Sequence, residues 1–167
     1  VPGIRRVRYT SPHPNDFSES VIRAMAEVPA VCEHVHLPMQ SGSSRTLKRM
    51  LRRYSREDYL ACVERLRSAI PGLGITTDII VGFPGETEEE FQETLSAVTE
   101  VGFDDAFMFK FSMRDGTPAQ RMPSELVMPE DVVDERFERL KERVRSIARD
   151  RKSTRLNSSH VKRSRMP

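Results

Sequence analysis

Thr77-Asp78-Ile79-Ile80-Val81-Gly82-Phe83-Pro84-Gly85-Glu86-Thr87-Glu88-Glu89-Glu90-Phe91 reads as a buried strand, a glycine turn and the start of a helix, with no spare residue between them. Ile79, Ile80 and Val81 form a short β-branched run of the kind found in a parallel strand covered on both faces. Gly82 and Gly85 remove side chains where the strand ends, so the backbone can turn sharply or approach a ligand. Thr87 and Glu90 have the T-x-x-E spacing of a capping box. In α/β folds ligands bind at the carboxyl ends of strands, and this is such an end. Two readings of the turn stand: a plain βα connection, or the wall of a ligand site. A phosphate site is disfavoured. Glu86, Glu88, Glu89 and Glu90 already place negative charge where the helix dipole would draw an anion, and no Gly-Lys-Ser/Thr follows. A ligand at this turn is expected to be neutral or zwitterionic and held largely by backbone.

Working outward, strands and helices alternate. Val7 to Thr10 reads as a short strand stopped by Ser11-Pro12-His13-Pro14. Asp16, with Glu19 three residues on, is a candidate cap for a helix whose apolar stripe is Phe17, Val21, Ile22, Met25 and Val28. Val31 to Leu37 reads as a second strand, closing at Pro38-Met39-Gln40-Ser41-Gly42-Ser43-Ser44, and a short helix is expected over 45–53. Ser55 and Asp58 start the next helix, which buries Tyr59, Val63, Leu66 and Ile70 before Pro71-Gly72 stops it. The helix after the quoted turn buries Phe91, Leu95 and Val98 and ends at Gly102, a C-terminal cap. Ala106 to Phe111 makes a fourth strand. A last helix follows Pro129, with an apolar seam through Val133, Phe137, Leu140, Val144 and Ile147. The alternation predicts an α/β fold with a parallel sheet and right-handed crossovers, either open or part of a larger barrel.

Composition sets the remaining bounds. The length of 167 residues fits one domain or a large part of one. The net charge of +2 misleads, because residues 151–167 carry six basic residues and no acid; residues 1–150 hold 21 basic and 25 acidic residues, net −4. Any contact with nucleic acid must then come from a local patch. One exists: Arg45, Lys48, Arg49 and Arg52 share a face of the expected short helix, with Arg53 and Arg56 beside it and no acid from 45 to 56. The alternatives are a solvated face and a set of phosphate contacts with RNA. Cys32 and Cys62 make neither a disulfide framework nor a metal site and read as small core residues. No signal peptide or membrane-spanning run is present, so a cytoplasmic protein is expected. Residues 151–167 have no period and little to bury, which reads as a disordered basic tail. From Lys152 onward they also resemble translated adaptor read-through, which would make the tail non-native. The opening Val1-Pro2-Gly3 suggests a piece of a longer chain.

Four motifs in order carry a family resemblance: Arg8-Tyr9-Thr10-Ser11-Pro12-His13-Pro14, His36-Leu37-Pro38-Met39-Gln40-Ser41-Gly42-Ser43, Asp78 to Thr87, and Phe109-Lys110-Phe111-Ser112 with Gly116-Thr117-Pro118-Ala119. Over roughly residues 4–148 the chain resembles the methylthiotransferase branch of the radical S-adenosylmethionine superfamily. The resemblance implies the C-terminal part of a partial (β/α)6, TIM-like barrel over 1–150, with its site at the strand carboxyl ends. It implies S-adenosylmethionine as cofactor, with Val81 and Gly82 near the adenine, Gln40 and Ser41 near the ribose or methionine, and Asp78 and Glu86 in the same site. It also implies 4Fe–4S clusters, whose C-x3-C-x2-C ligand motif this sequence does not contain. The fragment alone is expected to be inactive. The parent enzyme would cleave S-adenosylmethionine reductively and install a methylthio group at an unreactive C–H bond.

The implied partners are a tRNA anticodon stem-loop, reached through Arg45, Lys48, Arg49, Arg52 and His13, and an electron donor for the cluster. A monomer with no membrane association is expected. The substrate expected is isopentenyladenosine beside the anticodon. Threonylcarbamoyladenosine is the runner-up, and the His36-Leu37-Pro38-Met39-Gln40-Ser41 segment speaks against the branch that modifies a ribosomal-protein aspartate. A reading from another class also stands, a barrel-derived binding module without radical chemistry. His36 is either a core histidine bonded to backbone or a site residue, since strand alternation alone does not choose its face.

Overall fold

The computed structural model describes residues 3–9 and 13–163, with side chains to residue 151. Among these residues three parallel strands form the sheet in the order β1 (His34–His36), β2 (Gly74–Val81) and β3 (Asp105–Lys110). The register sets His36 beside Thr76, Asp78 beside Phe107 and Ile80 beside Phe109. The strand expected from Val7 is reduced to a single parallel bridge, Val7 to Val31, before the chain reaches residues 10–12, which lie outside the described residues. The central strand starts at Gly74, three residues before the quoted stretch.

Among the described residues, five α-helices accompany the sheet: α1 (Glu19–Glu27), α2 (Ser44–Arg49), α3 (Arg56–Ala69), α4 (Glu88–Val101) and α5 (Glu130–Arg163). Their starts are chemically specified. Ser55–Asp58 and Thr87–Glu90 both close reciprocal capping boxes, each satisfying two of the orphan N–H groups of a helix N-terminus. Helix α4 ends at Gly102 in the left-handed conformation, φ 58°. The cap of α1 is Ser18, not Asp16; Asp16 instead closes a 3-10 turn over Pro14–Asp16, where Pro14 starts a helical turn too early for α1. Helix α2 stops at Arg49, because Leu51 takes a left-handed φ of 57°.

One face of β2 is buried and the other only half so. Ile75, Thr77, Ile79 and Val81 are buried, while Thr76, Asp78 and Ile80 between them are half-buried. This corrects the reading of the run as covered on both faces: the strand alternates with period two, as a one-sided strand does. On the covered side Leu37, Leu47, Tyr59, Leu66, Phe91, Val98, Phe103 and Leu140 form one core. The seam of α5 packs there through Leu140 and Val144, with Ile147 partly buried against that core, while Val133 is buried beside Gly82. The other face carries His34, His36, Thr76, Asp78, Ile80, Phe107 and Phe109, with both phenylalanines exposed. The backbone of α5 stays helical through Arg163, into the stretch that reads as a tail, and residues 164–167 lie outside the described residues. Among the described residues, no helix is long and apolar enough to cross a membrane.

Candidate functional site

A cleft of about 620 Å³ opens at the carboxyl ends of the three strands. The segment after β1 contributes Gln40, the end of β2 contributes Asp78 and Ile80, and the end of β3 contributes Phe109, Lys110 and Phe111. Phe83 and Phe111 meet edge-to-face with centroids 5.1 Å apart. Arg49, Arg52 and Arg114 add cationic lining. Such a mixture of apolar walls and a few polar groups is the usual make-up of a small-molecule site.

Gln40 sits at this cleft with φ 65°, a conformation uncommon for a residue that is not glycine. Two backbone bonds hold it there: its N–H donates to the Asp78 carbonyl at 2.8 Å, and its own carbonyl accepts from the Ile80 N–H at 2.9 Å. Its side-chain amide has no protein partner among the described residues, and it lines the cleft beside Asp78. Asp78 in turn is paired with His36, whose Nε2 lies 3.2 Å from Oδ1. The other ring nitrogen, Nδ1, lies 3.0 Å from the Thr76 hydroxyl. His36 thus takes the open face and bonds side chains, not backbone. Beyond Thr76, at 3.5 Å, is His34. Burial first, then the Arg8 charge, lowers the His34 pKa, which favours its neutral form.

The glycine turn faces the opposite way. A Cβ on Gly82 would lie 2.7 Å from Val133 of α5, and Gly82 has φ 80°, so glycine is required twice over. The Gly82 N–H donates to Glu86 Oε2 at 3.1 Å, and the Val81 carbonyl accepts from the Phe111 N–H at 2.7 Å. Glu86 is buried against Arg136 of α5, which donates to its carbonyl at 3.0 Å and to Oε2 at 3.2 Å. Burial pushes the Glu86 pKa up, and the Gly82 N–H and the Arg136 charge only partly offset this. Ser41 is fully buried, its hydroxyl 3.3 Å from that of Thr94 and accepting from the Ser43 N–H at 3.2 Å. Of the six residues expected around a cofactor, Gln40 and Asp78 line the cleft. Ser41, Val81, Gly82 and Glu86 brace its wall from behind.

The basic face is partly neutralised from a distant stretch of sequence. Arg45 and Arg49 both pair with the buried Glu90, and Arg45 also reaches Glu93. Arg56 pairs with Glu100. Among the described residues Lys48 and Arg52 carry no ion pair and are exposed; Arg52, just past the end of α2, lines the cleft. His13 caps the Pro14–Asp16 turn, accepting from the Asn15 N–H at 3.3 Å, and its ring meets Tyr54 edge-on at 5.1 Å. Sequence reasoning missed Phe109, Arg114 and Arg136. The alternation along β3 could have placed Phe109 on the open face, but an arginine on a charged helix such as α5 carries no local sign of burial.

The family model described as the radical SAM superfamily matches residues 1–98, more than half of the chain. The chain belongs to the radical SAM superfamily. Among curated proteins it is 54% identical over 140 residues to the tRNA-2-methylthio-N(6)-dimethylallyladenosine synthase 1 of Mycobacterium marinum, covering 84% of this chain and 26% of that protein. The synthase of that name from Caldicellulosiruptor saccharolyticus is 52% identical over 148 residues, 89% of this chain and 31% of its own length. That of Acidothermus cellulolyticus is 55% identical, with 89% and 29% covered. The chain therefore spans between a quarter and a third of the length of these relatives. Among solved structures, the radical SAM enzyme coproporphyrinogen III oxidase from Escherichia coli superposes with a TM-score of 0.62 at 20% identity, over 80% of this chain and 31% of that one. The Elp3 of Methanocaldococcus infernus superposes with a TM-score of 0.55 at 22% identity, over 83% of this chain and 31% of that one. These likenesses support the barrel-type fold.

Radical SAM proteins as a family use S-adenosylmethionine with a 4Fe–4S cluster. The residues here suit the first of these and not the second. Gln40 and Asp78 offer free polar groups in a cleft with aromatic and aliphatic walls. Cys62 is buried with its thiol 3.5 Å from the Pro14 carbonyl, and no cluster of metal-binding side chains occurs among the described residues.

Proposed function

We propose that this chain is part of the catalytic barrel of a tRNA methylthiotransferase, and that the parent enzyme adds a methylthio group to isopentenyladenosine beside the anticodon. The observation that carries this reading is the cleft at the strand ends, with one Asp78 carboxylate oxygen and the Gln40 amide left open, in a chain 52–55% identical to synthases of that name. When bound, S-adenosylmethionine and a cluster held by ligands outside this chain supply the radical that removes hydrogen from an unreactive C–H bond. This chain's residues bind and orient. Asp78 accepts from hydroxyl or ammonium donors of the cofactor, and Gln40 completes the polar side of the site. Ile80 and Phe83 offer apolar surface to the adenine, while Ser41, Val81, Gly82 and Glu86 hold that wall in place. Lys48 and Arg52 meet RNA phosphates. Arg45 and Arg49, tied to Glu90, add a weaker field, and His13 shapes the adjoining loop. In this reading the enzyme is a cytoplasmic monomer that draws electrons from a separate donor, and residues 151–167 play no part in it.

The test uses the full-length protein with its clusters reconstituted. Digested tRNA from the reaction is expected to contain 2-methylthio-isopentenyladenosine by mass spectrometry. A methylthiolated threonylcarbamoyladenosine instead would move the reading to the runner-up, and no methylthiolated nucleoside at all would refute it. Lys48→Glu with Arg52→Glu is expected to weaken tRNA binding and to reduce the salt slope by about 1 for each phosphate that is no longer neutralised. An unchanged slope would remove these two residues from the interface.

A further inference from the structure

We infer that His36 is a positioning residue: backed by Thr76, it fixes the Asp78 carboxylate so that its second oxygen faces a ligand hydroxyl or ammonium in the cleft. The inference rests on the proposed function for the identity of that ligand, S-adenosylmethionine, but its structural basis is independent of it. His36, Thr76 and Asp78 all lie on the open face, brought together by the parallel register that sets His36 beside Thr76. Both ring nitrogens have a partner: Nδ1 is hydrogen-bonded to the Thr76 hydroxyl at 3.0 Å, and Nε2 pairs with Asp78 Oδ1 at 3.2 Å. It is also packed edge-on against Phe107 at 5.7 Å. An imidazole held at three points has one orientation. With the proton on Nε2, facing Asp78, Nδ1 is left to accept from the Thr76 hydroxyl, so both contacts are served by one ring placement.

The consequence falls on Asp78. One carboxylate oxygen is tied, and the other has no protein partner among the described residues, although the side chain is only 25% exposed and lines the cleft. A half-buried acceptor left open beside the free amide of Gln40 is a group that lacks its partner until a ligand arrives. Gln40 strengthens the case. It is kept at φ 65° by bonds to the backbone of Asp78 and Ile80, and strained backbone of this kind gathers where a ligand is gripped. The alternative is that His36 only stabilises the open face, in which case its loss would alter folding and not ligand affinity through Asp78.

The experiment measures equilibrium binding of S-adenosylmethionine to the full-length, cluster-reconstituted protein, together with KM and kcat for methylthiolation. Asp78→Asn is expected to weaken binding by about ten-fold or more, and His36→Phe, which keeps the ring's bulk but donates nothing, by a similar factor. His36→Gln, which restores a donor, recovers most of the loss. For His36→Phe, KM for the cofactor rises while kcat stays within about two-fold, the pattern of lost uniform binding. The decisive measurement is the double variant: His36→Phe in the Asp78→Asn background is expected to add little, because the histidine acts through the carboxylate. Wild-type affinity in His36→Phe, or a full additional loss in the double variant, overturns the inference. If His36→Phe does not fold, Thr76→Val carries the same test, with a smaller loss that again vanishes in the Asp78→Asn background. Wild-type protein that binds the cofactor yet yields no methylthiolated tRNA refutes the proposed reaction and leaves the binding cycle readable.

Discussion

Replacing Glu90 by glutamine tests the hub on which α2, α4 and the arginine pair depend. Glu90 accepts from the Thr87 N–H at 3.1 Å, the Thr46 hydroxyl at 3.2 Å and Arg49 Nη1 at 3.2 Å, and Arg45 pairs with it, Nε 3.2 Å from Oε1. Arg49 Nη2 makes a further bond. Every partner is a donor, so one half of a glutamine amide would face donors with a donor. Breaking a fully buried pair costs about 3–5 kcal/mol. Here Glu90 is 2% exposed but Arg49 is 27% and Arg45 63%, so both arginines can regain water when released. That places the cost at about 2–3 kcal/mol. For a chain of this size it lowers Tm by roughly 5–10 °C. The assay is thermal unfolding followed by circular dichroism, with the half-exposed Glu93→Gln as control. The pH dependence adds a signed check. Burial pushes the Glu90 pKa up, but Arg49, the Thr87 N–H and the Thr46 hydroxyl outweigh it, leaving the pKa below its ordinary 4.5. A carboxylate depressed in the folded state stabilises fully above its unfolded pKa and loses that contribution as pH falls through the folded value. The gap in Tm between wild type and Glu90→Gln is therefore widest at neutral pH and narrows below about pH 4. A Tm within about 1 °C of wild type at pH 7, or a gap that widens in acid, would refute the reasoning.

Three further outcomes follow from single sites. Gly42→Ala places a Cβ 2.6 Å from the Thr94 Cα and 2.8 Å from the Glu93 carbonyl, so the backbone of α4 must move; a loss of about 3 kcal/mol in chemical unfolding is expected, and less than about 1 would show the contact to be soft. Ser43→Ala should unfold at or above the wild-type temperature, because the Ser43 hydroxyl is buried with no partner among the described residues and gives α2 no cap bond. Alkylation followed by mass spectrometry should label Cys32 well before Cys62, whose thiol is buried and pushed up in pKa by that burial; equal labelling would contradict the packing.

Local chemistry was legible wherever both partners lie within a few residues of each other. The capping boxes at Ser55–Asp58 and Thr87–Glu90, the left-handed cap at Gly102 and the buried apolar positions Val133, Leu140 and Val144 of α5 needed nothing beyond spacing. What could not be read depended on residues far apart in the chain. The basic run from Arg45 looked unopposed because its acids, Glu90 and Glu93, lie more than forty residues downstream on α4. His36 could not be assigned a face until Thr76 and Asp78 were set beside it by the sheet register. The start of β2 was missed because Pro71-Gly72 reads as a turn and hides the strand that opens at Gly74. Asp16 and Ser18 are both capping residues, and only the Pro14 turn between them and the preceding loop decides which one starts α1.

The two faces of β2 divide the labour that sequence alone would concentrate in the glycine turn. A backbone donor that serves a ligand must be left unbonded by the protein, yet the Gly82 N–H is taken by Glu86, and the Val81 carbonyl beside it accepts from Phe111. Glu86 is itself fixed by Arg136, which also sets its Nε 3.3 Å from Glu88 and its guanidinium 5.4 Å over the Phe91 ring. The turn is therefore bolted to α5 and α4. Rigidity at that point has a direct effect one residue away on the strand. Ile80 and Asp78 alternate with Val81 and Ile79, so anchoring the covered face fixes where the open-face side chains stand. Groups that recognise a ligand must be held to within about half an ångström, and they are held best by a strand whose other face is packed and whose end is closed. The turn's Gly82 N–H and its glutamate are bonded within the protein, and the residues with free polar atoms facing the cleft, Gln40 and Asp78, lie on the open side.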